Sequence, residues 1–479
     1  MTPKGDDGGS VVTPPLHELE RVIDGELVAG DELTTSRAPK PFNARFDGAI
    51  PQAVVRCTSP GDVAETISFI RRHRLRSATR SGGHCLAGRS TTTGILVDVS
   101  PMRTVSVADG TLTIGAGAVL GEVYAEAIRH GVTVAGGSCP SVGVAGLTLG
   151  GGLGILGRTY GVTSDRLVGA RIVLADGRVL DCDEHHETDL FWALRGAGTG
   201  HFGVVTSLVF RPIPAPTVVT TFHLEWPFAD AASVAQAWMA WSPSAPDTLS
   251  ASMVVAATAE PEEAPTVEVF GTMLGAVSEA RHELEGLTSL LGSDPSSTFV
   301  EEMGYEDTLR YWAARAGERL ETPRAAPSTR SIHAVKSEYF TRPLPTEAIA
   351  ALLEGLTADR SRGQARELDF SPWGGAYVRI EPEATAFVHR DAAFWVKHGV
   401  VVPAHATTIQ QTVARDWVAA SWGSLHPWGT GGVFPNFADA DLEDWGHAYY
   451  GSNYERLVEL KGRYDPDNLF RFSQSLPVS

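Results

Sequence analysis

The stretch from residue 136 to residue 161 reads GGSCPSVGVAGLTLGGGLGILGRTYG, and ten of its 26 residues are glycine. Glycine accepts positive φ angles and lets a backbone approach a ligand closely, so this density indicates a cradle for a ligand. Inside it, residues 152–157 match the pattern G-x-G-x-x-G of nicotinamide-binding folds. That fold needs a strand directly before the motif and a long helix directly after it. Here more glycine precedes the motif and Arg158-Thr159-Tyr160-Gly161 follows, which disfavours that fold.

A second short loop, Arg80-Ser81-Gly82-Gly83-His84, directly follows a predicted strand at residues 76–80. Consecutive small residues can direct several backbone N–H groups at one anion, so the loop is a candidate phosphate site. The alternatives are a simple tight turn at Gly82-Gly83 and an ordinary loop histidine at His84.

Hydrophobic spacing around these loops predicts short strands that alternate with short helices. Ser59 is a predicted N-cap with Pro60 in the first turn, and a strand at 168–174 turns through Ala175-Asp176-Gly177. Pro212, Pro214 and Pro216 then end the first part of the chain. Beyond them, strands at 218–224, 252–257 and 266–273 alternate with helices at 231–241, 277–291 and 346–356, which predicts a sheet with helices on one side.

Composition excludes several classes of protein. The chain has 479 residues, 39 basic and 57 acidic, for a net charge of −18. That length predicts two or three domains, and the acidity disfavours partners such as nucleic acids and anionic membrane surfaces. No apolar run reaches 18 residues and no export signal is recognisable at the N-terminus, so we expect a cytoplasmic protein without a transmembrane helix.

The four cysteines, Cys57, Cys85, Cys139 and Cys182, form no Cys-x-x-Cys pair. Four cysteines in a chain of this length make no disulfide framework, and we expect no metal site.

The motifs taken together resemble one family. The loop Arg80–His84 is followed in order by residues 137–143 (GSCPSVG), by residues 150–154 (GGGLG), and near the C-terminus by residues 449–454 (YYGSNY). Lys461, Tyr464-Asp465-Pro466 and Gln474-Ser475-Leu476 close the pattern, which is similar to that of the berberine-bridge-enzyme-like flavoproteins, a branch of the vanillyl-alcohol-oxidase fold. The resemblance runs from about residue 40 to the end and is least diagnostic between 217 and 425.

The resemblance implies an α+β fold with an FAD-binding domain and a substrate domain whose antiparallel sheet is backed by helices. The expected organisation is a disordered tail at 1–15, an FAD-binding part at 16–215, a substrate-binding domain at 216–428 and a C-terminal segment at 429–479 that completes the FAD-binding domain.

The resemblance also implies the site. FAD is expected to be bonded covalently, through its 8α methyl group to His84 and through ring position 6 to Cys139, whereas Cys85 does not match a linking position. The expected base is a tyrosine of lowered pKa, with Tyr450 favoured, Tyr449 open and Tyr377 a further candidate. The other expected cofactor-binding residues are Arg80, Ser81, Gly82, Gly83, Gly88, Val142, Gly143, Gly146, Gly151, Gly152, Gly154, Tyr160, Gly203, Val204, Val205 and Asn453.

Two positions depart from the family pattern. His201 stands where an asparagine is common, so its contact with the flavin is open. Leu86 replaces a tyrosine that can stack on a sugar, which weakens the interpretation as an oligosaccharide oxidase.

Four functions compete. An oxidase would return electrons to dioxygen as hydrogen peroxide, and Val142, three residues after the linking cysteine, favours it because a bulkier leucine there tends to block oxygen. A dehydrogenase of the same fold, a non-enzymatic binding protein and a nicotinamide enzyme are the alternatives. We expect a small secondary-metabolite substrate and a monomer or homodimer.

Overall fold

The described part of the chain comprises residues 14–34, 40–198, 200–324 and 329–478 of a computed structural model. Its helices and largely antiparallel sheets confirm the predicted α+β fold. The predicted disordered tail lies outside the described residues except for Pro14 and Pro15.

The first sheet carries the start of the cofactor loop. It has four strands in the order β1-β2-β4-β3, of which β2, β4 and β3 are parallel. Its elements are α1 (Leu16–Glu20), β1 (Glu26–Ala29), β2 (Ala53–Arg56), α2 (Pro60–His73), β3 (Ser77–Arg80) and β4 (Ile95–Asp98). Helix α2 begins where predicted, because the Asp62 N–H donates to Ser59 Oγ at 3.1 Å and the Ser59 N–H donates to the Asp62 carboxylate at 3.2 Å.

The second sheet has five antiparallel strands in the order β5-β6-β10-β8-β9, while β7 and β11 pair separately. The strands are β5 (Val105–Ala108), β6 (Thr111–Gly115), β7 (Val132–Thr133), β8 (Leu167–Leu174), β9 (Val179–Asp183), β10 (Gly203–Phe210) and β11 (Ile213–Pro214). The helices of this part are α3 (Leu120–Arg129), α4 (Val144–Leu149), α5 (Gly157–Tyr160) and α6 (Thr188–Leu194). The predicted hairpin at Ala175-Asp176-Gly177 is confirmed as the turn between β8 and β9.

The G-x-G-x-x-G match opens no long helix. Gly152 and Gly154 lie in a loop, and α5, which follows them, has only four residues. Gly154 lies against the backbone of Gly136, where a Cβ atom would come within 1.9 Å of the Gly136 carbonyl oxygen. The glycines here serve close backbone packing, so the motif is not that of a nicotinamide-binding fold.

The third sheet has seven antiparallel strands in the order β15-β12-β14-β13-β17-β18-β16. The strands are β12 (Val219–Pro227), β13 (Leu249–Ala257), β14 (Thr266–Met273), β15 (Ser297–Met303), β16 (Ser331–Phe340), β17 (Ala365–Pro372) and β18 (Phe394–Pro403). The helices are α7 (Ala231–Trp241), α8 (Val277–Leu291), α9 (Tyr305–Arg315), α10 (Thr346–Thr357) and α11 (Thr408–Leu425). Residues of α7, α8 and α10, among them Trp238, Leu284 and Leu352, share one buried apolar core with this sheet.

The last segment of the chain returns to the first core. It forms α12 (Trp445–Tyr450) and α13 (Tyr454–Tyr464), and Tyr449 and Leu457 are buried in the same apolar core as the first two sheets. The fully buried Lys461 ammonium donates to the Asp465 carboxylate and to two backbone carbonyls, so its charge is compensated. The exact domain boundaries at 216 and 429 stay predictions.

Candidate active site

A cavity of about 820 Å³ lies between the loop after β3 and the third sheet. Residues 81–93, the region of α4, and Gly198, Gly200, Gly203 and Val205 line one side of it, and β16, β18 and residues 435–438 line the other. Residues 470–473, near the C-terminus, complete the wall. Its volume is in the range of cofactor and small-molecule pockets.

The first wall is made of backbone. Gly83 and Gly88 have φ angles of +74° and +73°, which only glycine adopts freely. Gly82 and Gly143 touch so closely that a Cβ atom on either would come within 2.4 Å of the other's nitrogen. Among the described residues, none accepts a hydrogen bond from the N–H groups of Gly82, Gly83 or His84. Free, clustered N–H groups of this kind suit an anion such as a pyrophosphate.

Arg80 lies behind this wall and supports it. It is buried, and its Nε donates to the Ser90 carbonyl at 2.9 Å. Ser90 is a wall residue, and its Oγ, which is closed off from the cavity, has no partner among the described residues. The cavity volume and the free N–H groups together fit FAD.

His84 lines the cavity at the end of the loop. Its ring stacks on Phe42 with ring centres 3.9 Å apart, and its Nε2 lies 3.0 Å from Ser141 Oγ. Burial, with a smaller contribution from His333, lowers the pKa of His84 to about 4, so the ring is neutral at neutral pH.

The two cysteines near the site differ in position. Cys139 does not line the cavity, and burial, together with the charge of Glu318, raises the pKa of its thiol to about 11. Cys85 is itself a wall residue. All four cysteines are free thiols, and they fall within the described part of the chain.

The tyrosine expected to be the base lies outside the wall. Tyr450 is 1% exposed, and its hydroxyl donates to the Ala197 carbonyl at 2.7 Å. His201 accepts the Leu476 N–H at Nδ1, so its Nε2 carries the proton and donates to the Tyr450 hydroxyl at 3.0 Å. The lowered pKa expected for this tyrosine is wrong, because burial raises it. His201, too, contacts the tyrosine and is not a wall residue.

The other two tyrosines are also packed into the interior. The Tyr449 hydroxyl accepts the Asp439 N–H at 2.8 Å, and burial raises the pKa of Tyr449 to about 12. Tyr377 stacks on Trp373, and its hydroxyl faces the Gly154 carbonyl at 3.4 Å. Neither side chain lines the cavity. Both hydroxyls stabilise the scaffold behind the site in this arrangement.

The expected cofactor-binding residues divide into two groups. The wall contains Ser81, Gly82, Gly83, His84, Gly88, Val142, Gly143, Gly146, Gly203 and Val205. The residues that do not line the cavity are Arg80, Cys139, Gly151, Gly152, Gly154, Tyr160, Val204 and Asn453. Asn453 Nδ2, for instance, donates to the carbonyls of Pro382 and Thr385 at 2.9 and 3.0 Å, which anchors α13 to a loop before β18.

The wall opposite the glycines carries the titratable side chains that sequence analysis missed. Lys397 on β18 lines the cavity and pairs with Glu367 at 2.6 Å and Asp369 at 3.1 Å, both on β17. These two carboxylates outweigh the desolvation of the ammonium and raise the pKa of Lys397. Because side chains alternate along a strand, the sequence could have predicted that Lys397 and Trp395 share one face of β18. It could not have predicted that β18 lies at the cavity.

His333 on β16 is the second such side chain. Its ring lines the cavity 4.8 Å from the ring of Phe42, and no described residue forms a hydrogen bond with either ring nitrogen. Burial, followed by the charge of Lys397, lowers the pKa of His333 to about 4. A neutral imidazole with free nitrogens can accept a proton from a substrate.

One group away from the cavity has the arrangement of a metal site. His223, Glu225 and Glu268 have ligand atoms within 4.8 Å of one another. The Arg315 guanidinium donates to Glu268 at 2.7 Å, so a cation already balances this carboxylate. No site is assigned to this group.

Comparison with known proteins identifies related chains along nearly the whole length. Residues 51–183 match the family described as "FAD binding domain", and residues 433–477 match "Berberine and berberine like". The FAD-linked oxidoreductase YgaK of Bacillus subtilis is 30% identical over 471 residues, covering 95% of this chain and 97% of that protein. Berberine bridge enzyme-like 1 of Arabidopsis thaliana is 29% identical over 473 residues, covering 91% and 86%.

The fold agrees with these relationships. The solved structure of BBE-like 1 from Physcomitrella patens superposes with a TM-score of 0.88 at 25% identity, covering 97% of this chain and 99% of that one. Among the described residues, no helix combines the length and the apolar character that crossing a membrane requires.

Proposed function

This chain belongs to the berberine-bridge-enzyme-like family of FAD-linked oxidoreductases, and on that premise we propose that it is a covalently flavinylated oxidase. It would oxidise an alcohol or close a ring in a small molecule and pass the electrons to dioxygen, forming hydrogen peroxide. The observation that carries this proposal is a single cavity with a wall of free N–H groups facing a wall of titratable side chains.

The first wall is suited to hold the cofactor. The N–H groups of Gly82, Gly83 and His84 would bind the pyrophosphate. Bound there, FAD supplies an acceptor for a hydride taken from a substrate C–H bond. Phe42 and the β16–β18 edge then enclose the space left for substrate on the other side.

The covalent links are proposed at His84 and Cys139. His84 lies in the wall with an unprotonated nitrogen available, which favours the first link. Cys139 does not line the cavity, and the pKa of its thiol is raised. Its link therefore requires the thiol to move into the cavity and to lose its proton. Because Cys85 lies in the wall, peptide mapping must distinguish the two cysteines.

The two walls also bear on which residue accepts the proton of the substrate. The tyrosine assignment stays a prediction, although the single Tyr450 proton is already donated to a carbonyl. We favour His333, whose neutral ring faces the cavity without a protein partner. The nearby Lys397 ammonium would stabilise negative charge that develops on a substrate oxygen.

Val142 supports an oxidase over a dehydrogenase of the same fold. Its side chain lines the cavity beside Gly143, at the position where the family resemblance associates a small residue with oxygen access. The tetrahydroberberine oxidase of Berberis wilsoniae, a relative named as an oxidase, is 27% identical over 458 residues, covering 89% of this chain and 85% of that protein.

The substrate is proposed to be small and at least partly aromatic. Phe42, Val335 and Phe437 offer apolar surface, and Leu86 lines the cavity where a sugar-stacking tyrosine would favour an oligosaccharide. A chitooligosaccharide oxidase shares the fold at 24% identity, so a sugar oxidase is the second candidate. Cytoplasmic location and a monomeric or homodimeric state stay predictions.

The experiment begins with the purified full-length protein. We expect a yellow protein whose flavin remains with the chain after acid precipitation, with FAD-mass adducts on the tryptic peptides of His84 and Cys139. Flavin released into the acid supernatant would contradict covalent attachment, and an adduct on Cys85 would move the second link. A substrate panel read by peroxide release then separates an oxidase from a dehydrogenase, which would reduce its flavin anaerobically but release no peroxide.

A further inference from the structure

We propose that Ser141 and Glu318 are positioning residues for His84: they hold its ring with the proton on Nε2 and receive that proton when FAD is attached. The inference rests on the covalent attachment through His84 proposed above. It concerns how this chain prepares the nitrogen that forms the bond.

The hydrogen bonds around Ser141 determine which atom is the donor in its contact with His84. Its hydroxyl donates to one oxygen of the Glu318 carboxylate at 2.8 Å, and its backbone N–H donates to the other oxygen at 2.9 Å. A hydroxyl has one proton, and an ionised carboxylate can only accept. The 3.0 Å contact between Ser141 Oγ and His84 Nε2 must therefore have the histidine as donor. A neutral His84 then has its free lone pair on Nδ1.

The orientation of the ring is fixed from a second side. Phe42 stacks on His84 with an interplanar angle of 20°, and the Phe42 N–H donates to the Gly83 carbonyl at 3.0 Å. Stacking confines the ring to one plane, while the contact with Ser141 selects its rotation within that plane. Two independent contacts therefore position Nδ1.

Glu318 comes from a distant part of the chain. It follows α9, and its N–H donates to the Ala313 carbonyl at the end of that helix at 2.8 Å. The glycine loop and Ser141 lie instead in the part of the chain that builds the first two sheets. The carboxylate reaches the histidine only after these two parts have packed together, so attachment would follow folding of both.

The attachment reaction has a use for this arrangement. His84 Nδ1 would form a bond to the 8α carbon in place of one of its C–H bonds, and the two electrons of that C–H bond would pass to the flavin ring. The 8α carbon would release one proton and Nε2 a second, which leaves the alkylated imidazole neutral, and these two balance the two protons that the reduced ring takes up. Ser141 can accept the Nε2 proton while its own proton passes to Glu318, which returns it to solvent. Dioxygen would then take the two electrons and two protons as hydrogen peroxide, which restores the oxidised flavin.

The same carboxylate acts in the opposite sense on the cysteine. The charge of Glu318 contributes to the raised pKa of Cys139, so its removal favours the thiolate there. A substitution that merely damages the loop would reduce both links. Loss of the relay alone would slow attachment at His84 without slowing attachment at Cys139.

The test uses full-length chains produced under riboflavin limitation, purified without flavin and mixed with saturating FAD in air. Samples are acid-quenched over time, and adducts on the His84 and Cys139 peptides are quantified by mass. We expect Ser141→Ala and Glu318→Gln to slow the His84 adduct about 10- to 100-fold, below the 10²–10⁴-fold typical of general acid–base catalysis, because water in the cavity can take the proton in their place. The Cys139 adduct should not slow.

Controls separate this effect from a general loss of structure. Ser141→Thr keeps the hydroxyl and should restore the wild-type rate, and Glu321→Gln makes the same change three residues further on, at an exposed ion pair with Arg310. Circular dichroism verifies the fold, and Glu318→Gln provides the decisive variant if Ser141→Ala does not fold.

The outcomes are distinct. A wild-type chain without a His84 adduct overturns the proposed covalent attachment and this inference together. A wild-type adduct that forms at the same rate in both variants overturns this inference alone. On the isolated flavin peptide, an NMR contact between the 8α methylene and the histidine β-protons identifies Nδ1, whereas a contact with Hδ2 identifies Nε2 and overturns the assigned tautomer.

Discussion

The loop at 81–93 presents backbone groups to the cavity, whereas β16 and β18 present side chains. The loop depends on glycines that no other residue replaces without strain, as the positive φ angles of Gly83 and Gly88 show. The strands tolerate many residues at each position, and what they offer is chosen side chain by side chain, here His333 and Lys397. The backbone of the loop thus binds a cofactor that is common to the family, whereas side chains on the strands select the substrate.

The largest expected effect tests whether the proton acceptor belongs to the side-chain wall, the side of the cavity formed by β16 and β18. His333→Phe keeps an aromatic ring and removes both nitrogens, and it should slow flavin reduction about 10²–10⁴-fold, or ~3–5 kcal/mol at ~1.4 kcal/mol per decade. Tyr450→Phe should leave that rate almost unchanged. Anaerobic stopped-flow absorbance, with the best substrate from the peroxide panel, measures both variants.

The same pair of variants has a second readout. Tyr450→Phe removes the acceptor of His201 and the donor to Ala197, so it should lower the free energy of unfolding by about 1–3 kcal/mol. If Tyr450→Phe instead slows flavin reduction strongly and His333→Phe does not, the base is the tyrosine. The side-chain wall then does not supply the proton acceptor.

The backbone wall is tested by a glycine substitution. A Cβ atom on Gly82 would lie 2.4 Å from the Gly143 nitrogen, so Gly82→Ala should cost about 1–3 kcal/mol of stability, as overpacking does, and should weaken FAD binding. Gly423→Ala is the matched control, because the new methyl group would point into open space and it replaces a glycine within α11. The control should gain about 0.5–1 kcal/mol. Urea unfolding and flavin content report both effects, and equal behaviour of the two variants would contradict the close packing.

A third prediction concerns the charge balance of the side-chain wall. Lys397→Met leaves Glu367 and Asp369 without their cation, and we expect a loss of about 2 kcal/mol, below the ~3–5 kcal/mol of a fully buried pair. The expected loss of stability is smaller because the Glu367 side chain is 42% exposed and solvent screens its charge. Adding Asp369→Asn should recover part of the loss in urea unfolding at pH 7, and a double variant less stable than Lys397→Met would exclude repulsion between the carboxylates.

The smallest effect is a dependence of stability on pH. His333 has a folded pKa of about 4, below the ~6.5 of an unfolded histidine, so the unfolded chain takes up the proton first as pH falls. Its contribution is therefore complete above pH ~6.5 and decreases towards pH ~4, by at most ~1.4 kcal/mol per pH unit. In the flavin-free protein, His333→Phe should reduce the loss of stability between pH 7 and pH 5. Parallel pH curves for wild type and variant would contradict the buried neutral state.

Several elements could be predicted because the signal for each lies within a few residues. Ser59, Pro60 and Asp62 determine the start of α2, and Asp176-Gly177 determines the turn between β8 and β9. By contrast, β16, β17 and β18 carry Lys336, Asp369 and Lys397 among their apolar residues, so no simple alternation marked them as strands. Their pairing joins residues that are far apart in sequence, as the contact of Lys397 with Asp369 across β17 and β18 illustrates.

The site shows the same division. Gly82, Gly83 and His84 were predicted from a local motif and lie in the wall, because backbone geometry is encoded by neighbouring residues. Tyr450 was predicted from a motif as well, yet it lies behind the wall. A motif identifies a residue but does not determine which way its side chain packs.

By itself the sequence determined the family, the FAD-binding loop and most of the early elements, since glycine positions, caps and turns act over a few residues. The tertiary structure alone decided which titratable groups meet at the cavity. His333 and Lys397 line the cavity opposite the glycine loop, whereas Ser141 and Glu318, 177 positions apart, meet beside His84, and only the packing of distant segments brings each pair to its place. The physical reason is that hydrogen bonds and charges act over a few ångströms of space, and a linear pattern does not specify that distance.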